Sequence, residues 1–62
     1  MKMKWIRFAN ELVRKSEIKN VVLDKNRVIM HTDTYDYTEV YFTRYAADKR
    51  LNEVLRLLNR GW

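Results

Sequence analysis

Residues 20–43 read NVVLDKNRVIMHTDTYDYTEVYFT. Two polar breaks, Asp24-Lys25-Asn26 and Thr32-Asp33-Thr34, divide three short runs rich in β-branched and aromatic residues. Such side chains pack well on a pleated surface, and Asp, Asn and Thr favour turns by bonding to their own backbone. The segment therefore predicts three consecutive strands, at about 20–24, 27–32 and 37–43. Connections this short allow only antiparallel pairing, so the strands form a meander. With a two-residue loop at Lys25-Asn26, Leu23 faces Val28, Val22 faces Ile29 and Val21 faces Met30. A three-residue loop with Asn26 in the left-handed region would shift these pairs. In the first register Val21, Leu23, Val28 and Met30 share one face, which suits a core. Asn20, Val22, Arg27, Ile29 and His31 share the other. In the third run Tyr35, Tyr37 and Tyr41 lie at one parity with Glu39, and Val40 and Phe42 lie at the other. With Val40 and Phe42 turned to the core, the tyrosines face outward.

Working outward, residues 4–16 read KWIRFANELVRKS. Trp5, Ile6, Phe8, Ala9, Leu12 and Val13 fall on one stripe of a helical wheel, while Lys4, Arg7, Asn10, Glu11, Arg14 and Lys15 fill the other side. This predicts a helix over about 4–16. After Phe42 the apolar period becomes that of a helix again, through Ala47, Leu51, Val54, Leu55 and Leu58, over about 44–60. Thr43 is favoured over Asp48 as its N-cap. Leu57 lies off the stripe. Gly61 suits a left-handed C-cap that would set Trp62 against Leu57. The expected fold is α+β, in the order α-β-β-β-α: a three-stranded antiparallel meander with two helices packed on one face. Residues 1–62 form a single domain.

A chain of 62 residues buries a thin core, and the usual reinforcements are missing. It has no cysteine and one histidine, His31, so neither a disulfide nor a thiolate or multi-histidine metal site has its parts. The net charge is +5. Residues 1–20 carry six cations against two carboxylates, whereas Asp33, Asp36 and Glu39 make residues 33–45 acidic. A basic balance favours nucleic acid, anionic surfaces or acidic proteins as partners. No apolar run is long enough to span a membrane, and Lys4 and Arg7 interrupt any signal-peptide core. The expected location is cytoplasmic.

No phosphate-binding glycine loop, zinc-protease motif or nucleophile elbow occurs. Ser16, the single serine, has no histidine beside it. Asp33, Asp36 and Glu39 recur every third residue, but two of them would point to opposite faces of a strand, so no metal site is assigned. His31 beside carboxylates reads as an exposed strand residue. The expectation is a non-enzymatic protein without a cofactor.

Two families resemble this predicted order. The double-stranded RNA-binding domain is similar in topology and length. Its Gly-x-Gly loop and lysine run correspond here to Arg44-Tyr45-Ala46-Ala47-Asp48-Lys49-Arg50, which has basic residues but neither the glycines nor the lysine spacing. The chain also resembles the small phage-encoded Cas9 inhibitors of anti-CRISPR type, through the same element order and the ending Asn59-Arg60-Gly61-Trp62. Members of that family are acidic, and this chain is basic. The resemblance implies a small blocker of a nucleic-acid machine whose target contact differs from theirs.

Tyr35, Tyr37, Glu39 and Tyr41, with Ile29 and His31 beside them, form the expected protein-binding face, because tyrosines are large, rigid and amphipathic. The same face, or a sheet edge, would serve a homodimer. The alternative is direct binding of DNA or RNA through Lys4, Arg7, Arg14, Lys15, Lys49 and Arg50.

Overall fold

In the computed structural model, which describes residues 4–59, Ala9 and Asn10 both hold left-handed backbone angles, φ 53° and 64°. Two such residues in succession reverse the chain between strands whose natural twist they match. Residues 4–16 are therefore not a helix. They form a hairpin of β1 (Trp5–Phe8) and β2 (Glu11–Arg14), paired as Trp5 with Arg14, Ile6 with Val13, Arg7 with Leu12 and Phe8 with Glu11. The Lys15 amide donates to the Lys4 carbonyl at 2.9 Å and continues this ladder. Ile6, Phe8 and Val13 point inward and are buried, while Trp5, Arg7, Leu12 and Arg14 point outward and are exposed. The residues that make a helical stripe here also alternate, and Trp, Ile, Phe and Val pack better on a pleat than on a helix.

A single 3-10 turn, Lys15–Glu17, leads into β3 (Ile18–Asp24), β4 (Arg27–Thr32) and β5 (Asp36–Val40), a meander in the order β3-β4-β5. A bulge between Ile18 and Asn20 shifts the start of β3. Beyond it the two-residue loop register holds: Val21 opposes Met30, Val22 opposes Ile29 and Leu23 opposes Val28. Lys25 takes the left-handed angle, φ 60°, in that loop. The next turn is built on Thr32. Its hydroxyl donates to the Tyr35 carbonyl at 2.6 Å and accepts the Tyr35 amide at 3.0 Å, so a buried side chain replaces ladder bonds that the turn interrupts.

The last element is α1 (Arg44–Asn59). Thr43 caps it: its hydroxyl accepts the Ala46 amide at 3.1 Å and its carbonyl accepts the Ala47 amide at 3.2 Å. Ala47 and Val54 are fully buried, Leu51, Leu57 and Leu58 are half-buried, and Leu55 is exposed. The expected cap at Gly61 with Trp62 on Leu57 lies outside the described residues.

The architecture is thus α+β, with a two-stranded and a three-stranded antiparallel sheet and one C-terminal helix, and its order is β-β-β-β-β-α. Ile6, Phe8 and Val13 of the hairpin, Val28 and Met30 of β4, and Ala47 and Val54 of α1 form one buried cluster. Hairpin and helix together cover one face of the meander. The covering role expected of a first helix is taken by the hairpin. The element order that carried both family resemblances is therefore not the order of this fold.

Candidate protein-interaction surface

Register decides which side chains the covered face receives. Met30 opposes Tyr37 and Val28 opposes Glu39. Directly opposed residues in an antiparallel pair share a face, and Met30 and Val28 are in the core. Tyr37 and Glu39 therefore turn toward α1 and the hairpin, and Tyr37 and Tyr41 pack against the buried cluster. This reverses the expected parity of the third strand. Val40, expected in the core, is 67% exposed, and Phe42 is 100% exposed.

The reversal follows from what Glu39 binds. Oε1 accepts from Arg50 Nε at 2.9 Å and from the Tyr41 hydroxyl, and Oε2 accepts the Ala9 amide at 2.8 Å. Arg50 continues outward, donating to Glu53 Oε1 at 2.5 Å and to the Arg7 carbonyl at 2.7 Å. Its guanidinium also lies 5.5 Å from the centre of the Phe8 ring. The Glu39 and Arg50 side chains are each 17% exposed. A carboxylate can point inward when a guanidinium and a free turn amide are waiting for it.

The electrostatics agree. Burial pushes the Glu39 carboxyl up, but hydrogen bonds from Arg50, the Ala9 amide and Tyr41, with the Arg50 charge, outweigh burial and hold it below its ordinary value. Burial, then the bond to Glu39 and its negative charge, push the Tyr41 phenol up to about 12. Burial pulls Arg50 down, yet its bonds to Glu39 and Glu53 and the Glu39 charge hold it above its usual value. The cluster keeps a carboxylate ionised and a phenol protonated across neutral pH, which is the behaviour of a fixed ion pair rather than a proton carrier.

The face of the meander turned away from the core carries three cross-strand rows. These are Asn20, His31 and Asp36; Val22, Ile29 and Thr38; and Asp24, Arg27 and Val40. Ile29 and His31 lie here as expected. Polar side chains on this face pair with one another: Arg27 Nη2 sits 2.5 Å from Asp24 Oδ2, and His31 Nδ1 lies within hydrogen-bonding distance, 2.8 Å, of Asp36 Oδ1. The row between these pairs holds Val22, Ile29 and Thr38, Val40 lies beside Arg27, and Phe42 comes two residues after the end of β5. Tyr35 is exposed at the β4–β5 turn, its ring edge-on to Tyr37 at 6.2 Å. Of the six expected protein-binding residues, the structure thus sets Ile29 and His31 on the open face, Tyr35 at its end, and Tyr37, Glu39 and Tyr41 on the other side of the sheet. The exposure of Val40 and Phe42 was not anticipated. Their signal was the register itself, because an inward Met30 fixes an inward Tyr37.

The six cations considered for nucleic acid do not form one surface. Arg50 is held by Glu39, and Lys15 is 5% exposed. Lys49 stands over the Tyr45 ring at 5.7 Å on α1. Lys4, Arg7 and Arg14 remain exposed on the hairpin.

Among the described residues no group of histidine, cysteine or acidic side chains is placed to hold a metal ion, and no helix is long and apolar enough to cross a membrane. Compared with protein-family models, curated proteins and solved structures, the chain matches none.

Proposed function

We propose that this is a small non-enzymatic binding protein that meets another protein through the open face of its meander. The observation that carries the reading is Phe42, 100% exposed two residues beyond Val40, which is itself 67% exposed. An aromatic side chain wholly in water is stabilised by whatever surface covers it, and aromatic anchors dominate the energy of protein interfaces. The Lys and Arg side chains on these strands, Lys19 and Arg27, already have carboxylate partners in Asp33 and Asp24, which suits an apolar protein surface better than a phosphate backbone. A second copy of the chain would also carry +5 and be repelled, so the partner is a different, net-anionic protein or nucleoprotein rather than a homodimer. That fits an inhibitor or adaptor, of the phage or mobile-element kind, which blocks a nucleic-acid-processing machine in the cytoplasm. Tyr35 and His31 rim the contact.

The test compares the wild type with Phe42→Ser and Val40→Ser as bait in nuclease-treated host extract, with light scattering to read self-association. The reading expects a monomer and a captured acidic protein that both substitutions release. Capture unaffected by either substitution, or a stable dimer in place of any capture, would overturn it.

A further inference from the structure

The outward face of the hairpin is a second surface, and it has different chemistry. Trp5 and Arg14 oppose each other across it, as do Arg7 and Leu12. The Arg14 guanidinium lies 4.9 Å from the centre of the indole, and the indole is still 45% exposed. Arg7 and Arg14 are diagonal neighbours on it, whereas Lys4, one position before Trp5 and opposite Lys15, belongs to the inward parity. Among the described residues neither of these two arginines makes an ion pair with a carboxylate, whereas Arg27 and Arg50 both do. Glu11, the one carboxylate of the hairpin, opposes Phe8 and so belongs to the inward parity.

We infer that this hairpin face binds single-stranded nucleic acid, with Trp5 as a stacking platform and Arg7 and Arg14 as phosphate contacts. Unpaired cations beside an exposed aromatic ring are the two parts such binding requires: charge that follows the backbone and a ring that receives an unstacked base. A closed duplex offers the phosphates but keeps its bases stacked away from the indole, so the ring selects the single strand. Arg14 over the indole pre-organises the platform, since a guanidinium plane also stacks on bases. This surface is separate from the one around Phe42 and stands without it.

The test titrates the full chain with a twelve-residue thymidine oligonucleotide at low salt and follows tryptophan fluorescence. A Trp62→Phe background isolates the Trp5 signal. The expected result is saturable quenching, with affinity for the single strand above that for a duplex of the same length or for inorganic polyphosphate. Trp5→Leu keeps apolar bulk but removes the ring, and should weaken binding roughly tenfold. Arg7→Gln and Arg14→Gln should each reduce the salt slope by about 0.7. Phe42→Ser should change nothing. Circular dichroism melts accompany each variant, and if Trp5→Leu unfolds, the two arginine variants and the ligand ranking still decide. No quenching at low salt, equal or tighter binding of duplex or polyphosphate, or full affinity in a folded Trp5→Leu protein would each overturn the inference.

Discussion

Replacing Glu39 with alanine tests the link between the three parts of the fold. The side chain receives Arg50, Tyr41 and the Ala9 amide at once. Hydrogen bonds to charged groups are worth about 1.5–3 kcal/mol each, but they share one carboxylate and do not add. Removing one partner of a buried pair costs about 3–5 kcal/mol. Here Arg50 keeps Glu53 and the Arg7 carbonyl, and the site is 17% exposed, so a loss of about 2–3 kcal/mol is expected. A chain of this size has roughly 3–9 kcal/mol in all. The loss should therefore lower the melting temperature by about 10–20 °C, at about 4–8 °C per kcal/mol. Thermal circular dichroism and urea titration read both quantities. Glu39→Gln keeps the shape and loses the charge, and should fall between the two. Acid should erase the difference between wild type and Glu39→Gln. The folded value of the Glu39 carboxyl lies below the unfolded one, so its stabilisation is full above the unfolded value and is lost as pH falls through the folded one. A loss below about 1 kcal/mol for Glu39→Ala, typical of an exposed pair, would refute the reasoning.

Other substitutions separate the parts. Ala9→Gly should leave stability unchanged or raise it, because a left-handed alanine costs about 1–2 kcal/mol that glycine avoids, whereas in a helix the same change would cost about 1 kcal/mol; a urea midpoint gives the sign. Thr43→Ala should lose about 1 kcal/mol with the helix cap, seen as a lower midpoint with an unchanged slope. Phe42→Ser should stay within about 0.5 kcal/mol of wild type, since nothing covers the ring in the free chain, while partner capture is lost.

The sequence made the meander legible because the turn residues around Lys25-Asn26 and Thr32 punctuate it, and because Val28 and Met30 alternate cleanly. The last helix was legible from its period and from Thr43. Two features were hidden, each for a physical reason. In residues 5–14 two four-residue strands are too short for alternation to stand out against a helical stripe made by the same side chains. Asn10 was the available signal, being tolerant of the left-handed angle, but an alanine before it masks the turn. In β5 a carboxylate between tyrosines resembles a solvated face. Only the three-dimensional approach of Arg50 and the Ala9 amide makes the inward position favourable for Glu39. The candidate face inherited that error: Ile29 and His31 lie on the open side of the sheet, but the outward aromatic was expected among Tyr37 and Tyr41, which turn inward, while Phe42 is exposed.

The bond from Arg50 to the Arg7 carbonyl joins residues 43 positions apart. Its consequence concerns synthesis. The hairpin leaves the ribosome before the helix, and its inward residues have no helix to meet, and its turn amide no braced carboxylate, until residues 44–59 emerge as well. A two-stranded ribbon alone in water is marginal at best. This part of the nascent chain should therefore stay open to proteases and chaperones until residues 44–59 are free to pack, and then close in one cooperative step.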